Sequence, residues 1–227
     1  MTDLTPPFGP DDLDAVLFDM DGTLIETDDA QVAQWARRAR RFTRSPERAE
    51  RIARRIVMAM ESPANAMFTA LDLVGLDALV LRVIVALSGA GAAESIPPVA
   101  GVDELVRALS ARYRLGVVST KHSASSAAAL AAFGIADCFG VIAGRDTTWR
   151  IKPHHSPVAY AARTLGVDPA RCLMVGDTTV DISAGRRAGA WTCGVLCGFG
   201  ERAELERAGA DLILDHTALL ADILLPS

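Results

Sequence analysis

The chain has 227 residues, half of them hydrophobic, and a formal net charge of −5. That much apolar sequence can bury a substantial core, in one large domain or in one domain with an insert. The acidic balance argues against the broad basic face with which nucleic-acid binders hold phosphate backbones, so no nucleic-acid partner is expected.

The first residues, Met-Thr-Asp-Leu-Thr-Pro-Pro, have neither a basic n-region nor an apolar h-region, so no signal peptide is expected. Residues 15–18, Ala-Val-Leu-Phe, form a short apolar run between acidic residues and a glycine turn, the signature of a buried strand. Residues 28–95 then show no clear strand and read as consecutive helices. Asp28 with Gln31 suggests a capping box, and Ser45-Pro46-Glu47 a second helix start. Nine arginines fall between Arg37 and Arg55, read as solvated helix faces or as a surface that attracts an anion. The most apolar stretch, 71–93, is interrupted by Asp72, Asp77 and Arg82, which suits buried helices better than a membrane span. Within it, Gly89 and Gly91 hint at a dinucleotide turn, but the third glycine is missing and Pro97-Pro98 would cut off the helix that must follow.

Beyond Pro97-Pro98 the pattern alternates. Apolar runs at 115–118, 139–142, 172–175, 192–196 and 212–214 predict strands. Helical patterns are expected near 102–112, 123–133, 157–165, 181–188 and 203–208. Strands alternating with helices mean an α/β fold, a Rossmann-like parallel sheet whose sites gather at the carboxyl ends of its strands. The expected domains are an α/β core, 1–27 and 96–227, and an all-helical insert, 28–95. Cys138, Cys172, Cys193 and Cys197 show no zinc spacing and read as reduced small hydrophobes, as in a cytoplasmic enzyme.

Chemistry concentrates at the ends of the expected strands. Asp19-Met-Asp21-Gly22-Thr23 follows the first, and two carboxylates so close call for a cation; oxygen donors suit a hard ion such as Mg²⁺. Ser119 and Thr120 end the second strand, Lys152 lies in a loop, and Gly176-Asp177-Thr-Thr-Val-Asp181 follows the strand at 172–175. Together these supply the donors, the positive charge and the further metal ligand that phosphoryl transfer needs. Of 23 basic residues only Lys121 and Lys152 are lysines, and both fall beside this site; the compact ammonium and the wide guanidinium fork are not equivalent.

The four pieces, in this order and spacing, resemble the haloacid dehalogenase superfamily. The resemblance covers about residues 13–26 and 98–215, and the helical insert stands where that family has its cap domain. It implies Asp19 as a nucleophile that forms an aspartyl-phosphate, and Asp21 as the acid and base for leaving group and water. It implies Mg²⁺ on Asp19, the main-chain carbonyl of Asp21, and Asp177. Ser119, Thr120 and Lys152 would bind the phosphoryl group, with Asp181 orienting Lys152 or metal-bound water, and Lys121 and His122 bordering the site. Asp21 favours phosphate esters over haloacids, because an alkoxide leaving group needs a proton and a halide does not. The chain looks most like the phosphoglycolate phosphatase group. A mutase of the β-phosphoglucomutase type is the nearer alternative, disfavoured by Gly176 where such mutases usually have Glu, and a non-catalytic binding member is the other. The expected partner is a small phosphorylated metabolite, with no membrane, and a monomer or homodimer.

Overall fold

The computed structural model describes residues 6–26 and 97–225. The chain divides into two units, Met1–Thr27 with Pro97–Ser227, and Asp28–Ile96. The helices expected over 28–95, the two helix starts at Asp28 and Ser45, the arginine-rich stretch and the Gly89–Gly91 turn lie outside the described residues.

The first unit is built on six parallel strands: β1 (Ala15–Phe18), β2 (Arg114–Val118), β3 (Phe139–Ala143), β4 (Cys172–Gly176), β5 (Trp191–Val195) and β6 (Leu212–Leu214). Their order across the sheet is β3-β2-β1-β4-β5-β6. The register sets Phe18 between Val117 on one side and Val175 on the other. The α-helices of the described residues are α1 (Val102–Ser110), α2 (Ser123–Ala132), α3 (Ser156–Leu165), α4 (Thr179–Ala188), α5 (Arg202–Ala208) and α6 (Leu220–Leu224). None of them is long and apolar enough to cross a membrane.

The central strands explain why the sheet reads as solid apolar runs. Every residue of β1 and β4 is buried, as in a parallel sheet covered on both faces. On one face Leu17, Val118, Ala143 and Met174 pack with Val158, Ala161 and Ala162 of α3 and Ala184 of α4. The small residues of those helices let the backbones approach the sheet. Elsewhere α1 buries Val102, Leu105, Val106 and Leu109, the spacing that gives a helix one apolar stripe. Each such side chain contributes on the order of 1.5–3 kcal/mol when fully buried. α4 stops at Gly189, where φ is +84°, a conformation that glycine adopts without a Cβ penalty.

In this order the sheet reverses direction of growth between β1 and β4, and open α/β sheets place ligands at that switch, beyond the carboxyl ends of the strands. The segments on either side of residues 27–96 also meet there. Glu26 N donates to Pro97 O at 3.0 Å and Val99 N to Leu24 O at 3.0 Å, so the chain leaves and re-enters this unit along one antiparallel pairing.

Candidate active site

Asp19 follows β1 directly, and its N–H still donates to Val175 O at 2.9 Å, so the sheet fixes its backbone. The chain then folds tightly: Met20 O accepts from Leu24 N and Ile25 N, each at 2.9 Å, and Gly22 N donates to Ile25 O at 2.8 Å. Gly22 has φ +75°, and a Cβ there would lie 2.4 Å from Asp177 Oδ2. The turn therefore demands glycine twice, for its backbone and for the closeness of the second carboxylate.

The pairing of β2 with β3 extends through Ser119 N to Ala143 O at 2.8 Å. The buried Ser119 accepts a hydrogen bond from Lys121 N at its Oγ, 3.0 Å away. With that lone pair engaged, the hydroxyl proton is left for another acceptor. Lys121 Nζ reaches Asp21 Oδ1 at 2.5 Å. Thr120 sits in the same loop, half-buried. His122 is the N-cap residue of α2, and Asp146 holds that helix end by accepting from Ser123 N at 2.8 Å and Ser123 Oγ at 2.6 Å.

Lys152 is buried, with Nζ 2.5 Å from Asp19 Oδ1 and 2.6 Å from Asp181 Oδ1. Its loop is fastened by Arg187, which donates to Pro153 O at 2.9 Å. Asp181 Oδ2 accepts from Thr178 N at 3.1 Å and Thr178 Oγ1 at 2.6 Å, a capping box that starts α4 and aims the other oxygen at Lys152. His154 turns instead to Arg150 and Ser156, at 3.2 Å and 2.8 Å.

Three buried carboxylates, Asp19, Asp177 and Asp181, place oxygens within 4.8 Å of one another. Burial pushes the Asp19 carboxyl up; Lys152 pulls it back, while Asp181 and Asp21 add repulsion, leaving it near about 7. Burial alone would push the Lys152 ammonium down, but Asp181 and Asp19 more than offset it and hold it above the usual lysine range. Lys152 therefore stays charged.

Sequence reasoning missed what lies behind the turn. Phe199 N donates to Asp177 Oδ2 at 2.7 Å, and a Cβ on Gly198 would lie 2.0 Å from that oxygen. Cys197 Sγ donates to Gly22 O at 3.3 Å, and Thr217 Oγ1 donates to Thr23 O at 2.8 Å. The Gly-Phe-Gly after β5 was a usable hint of close approach; Thr217 carried none. Cys172 and Cys193 behave as expected of small hydrophobes, their thiols pushed up by burial, Cys172 to about 12.

A family model described as haloacid dehalogenase-like hydrolase matches residues 16–195. An N-acetylmuramic acid 6-phosphate phosphatase from Pseudomonas aeruginosa is 34% identical over 93% of this chain and 95% of its own. A phosphoglycolate phosphatase from Haemophilus influenzae is 35% identical over 49% of this chain and 50% of its own. A crystal structure of a predicted phosphoglycolate phosphatase from Haemophilus somnus shares the fold, with a TM-score of 0.65 at 23% identity over 93% of this chain and 98% of that one. The chain belongs to the haloacid dehalogenase-like hydrolases, and within them to the phosphatases.

A divalent cation is what this membership implies, and the residues fit one. Asp19, Asp177 and Asp181 are oxygen donors converging on one point. Among the described residues Lys152 bridges Asp19 and Asp181, and its single charge leaves the trio net negative. Asp21 O, beside them on the turn, takes no hydrogen bond from the described residues.

Proposed function

We propose that this phosphatase hydrolyses a small phosphate monoester of phosphoglycolate-like size, with Asp19 as nucleophile and Mg²⁺ as its metal. The observation that carries the reading is the buried Lys152 ammonium held between Asp19 and Asp181 at the switch between β1 and β4.

Asp19 attacks phosphorus through the carboxylate oxygen that Lys152 does not engage. A phosphoryl–Asp19 bond forms as the bond to the leaving oxygen breaks. Asp21 gives that oxygen a proton, then takes one from the water that releases phosphate and restores the Asp19 carboxylate. The Ser119 hydroxyl, freed to donate by Lys121 N–H, and the Lys152 ammonium bind phosphoryl oxygens, with Thr120 beside them. Asp181 keeps Lys152 in place. Asp19, the Asp21 main-chain carbonyl and Asp177 would hold Mg²⁺, which when bound supplies the positive charge that lets a carboxylate meet a phosphate dianion.

Hydrolysis is favoured over mutase chemistry by the packing at Gly176. A Cβ there would lie 2.3 Å from Asp181 Cβ, so a glutamate before Asp177 has no room. The partner is a small phosphorylated metabolite, with neither nucleic acid nor membrane, and residues 28–95 form the second, substrate-selecting domain.

Phosphate release from a panel of esters tests the reading. Wild type with Mg²⁺ should turn over, excess EDTA should stop it, and Asp19→Asn should lower kcat by about 10⁴-fold or more. Wild-type rates in the variant would remove Asp19 from its role; full activity in EDTA would remove the metal.

A further inference from the structure

A short stretch of chain just past β5, Cys197 to Phe199, touches two arms of the site at once. Phe199 N donates to Asp177 Oδ2 at 2.7 Å, and Cys197 Sγ donates to Gly22 O at 3.3 Å. A Cβ on Gly198 between them would lie 2.0 Å from Asp177 Oδ2, so the backbone runs against that carboxylate. The stretch therefore joins the carboxylate that follows β4 to the turn that follows β1.

The turn needs an outside hold because its joint is a glycine. Gly22 has φ +75° and no side chain to restrict it. The peptide plane before it carries Asp21 O, and the Gly22 N–H on that plane donates to Ile25 O at 2.8 Å. A trans peptide points its C=O opposite to its N–H, so this bond sets the direction of Asp21 O. The plane after Gly22 is held less well from within. Thr23 N reaches Met20 O only at 3.4 Å, beyond the usual range of an N–H···O bond. Thr23 is buried, yet its own hydroxyl meets no partner among the described residues. Gly22 O is fixed from outside the turn, by the Cys197 thiol.

The thiol is itself held. Thr217 is buried; its Oγ1 donates to Thr23 O at 2.8 Å and lies 3.3 Å from Cys197 Sγ. With its proton on Thr23 O, the Thr217 hydroxyl can only accept from the thiol, so the single S–H is shared between Gly22 O and Thr217 Oγ1. One hydrogen-bonded pair, drawn from beyond β5 and beyond β6, thus grips two consecutive carbonyls of the turn.

We propose that Cys197 is a positioning residue for the metal centre: through Gly22 O it steadies the plane that carries Asp21 O, while Phe199 N steadies Asp177, so that residues 197–199 set the spacing of two groups that would hold Mg²⁺. The inference rests on the metal reading above. A ligand whose neighbours hold it in place binds its ion more tightly than one left to move. Without the thiol the Gly22 joint is loosened, Asp21 O moves relative to Asp177, and the ion binds less well. The turn keeps its fold, because the bonds to Met20 O, Ile25 O and Thr217 remain.

Calorimetric titration of substrate-free protein with Mg²⁺ tests this, alongside thermal unfolding in EDTA and turnover of p-nitrophenyl phosphate at saturating Mg²⁺. Cys197→Ala should raise the Mg²⁺ Kd roughly threefold to tenfold, the range of one modest hydrogen bond. Cys197→Ser keeps a donor in the same place and should recover most of the affinity. KM for the ester at saturating Mg²⁺ should hold. Should Cys197→Ala not fold, Cys197→Val fills the space without a donor and decides in the same way. A lower Tm in EDTA with the wild-type Mg²⁺ Kd means a structural role only and overturns the inference, as does a Cys197→Ser that binds Mg²⁺ no better than Cys197→Ala. In both cases wild type still binds Mg²⁺, and the metal reading stands. Wild type that hydrolyses the ester without binding Mg²⁺ overturns both.

Discussion

Lys152 and Lys121 each hold a carboxylate of the site, under opposite conditions. Lys152 is buried between Asp19 and Asp181, with side chains 11% and 2% exposed. Lys121 lies in partial contact with solvent over Asp21, itself 18% exposed. In the interior neither charge can find water, so the pair is fixed and removal of one member leaves the other stranded. At the rim water competes for both, so the same chemical contact is loose and exchangeable.

The largest effect should come from breaking the interior pair. Lys152→Met is expected to lower kcat by about 10³-fold and to destabilise by roughly 3–5 kcal/mol, since Asp19 and Asp181 would lose the charge between them. Thermal unfolding and steady-state rates check both, and Lys152→Arg should not restore the rate, because a guanidinium fork cannot replace a point charge in so closed a space. An equal loss of activity with unchanged Tm would mean that the pair is catalytic but not structural.

A smaller effect is expected behind the turn that carries Asp21. Thr217→Val removes the hydrogen bond to Thr23 O, costing about 1 kcal/mol of stability and roughly threefold to tenfold in kcat as Asp21 drifts from its position. KM should hold and Thr217→Ser should recover kcat. A change in KM with kcat intact would place Thr217 in substrate binding instead.

The smallest should be at the surface cap of α2. The Ser123 hydroxyl, then the Ser123 N–H, hold the Asp146 carboxyl down to about 2. A folded value below the unfolded one means that its contribution is full above the ordinary carboxylate range and is lost as pH falls through about 2. Asp146→Ala should lower Tm by a few degrees at neutral pH, with the difference shrinking towards pH 2. A difference that does not change with pH would exclude the charge on Asp146 as its cause.

The strands were legible because a parallel sheet buries both faces: the six apolar runs fall within one residue of the observed strands at each end. Helix ends were less sharp. α4 starts at Thr179 rather than Asp181 because Asp181 is the third residue of a capping box, not the first of the helix. The short α6 escaped notice, since Leu-Ala-Asp-Ile-Leu is too brief to show a period. In the site, Asp19, Ser119 and Asp177 were readable as charged or hydroxyl residues at strand ends, and Lys152 and Asp181 as charges in the loop and turn near them; the structure brings Asp19, Lys152, Asp177 and Asp181 together. Phe199 was not readable because it acts through its backbone N–H, which every residue but proline has. Cys197 and Thr217 were hidden for a related reason: they hold carbonyls of Gly22 and Thr23 some 175 and 194 residues away.

The pairing of Glu26 with Pro97 and of Val99 with Leu24 has an evolutionary consequence. A guest sequence whose two ends are already held side by side imposes no new loop closure on its host. Chains tolerate insertion best where their ends are held in this way. Residues 28–96 can then be exchanged as a cassette while Asp19 and its neighbours stay under their own selection. Catalysis is inherited with the host, and the guest can diversify at its own pace.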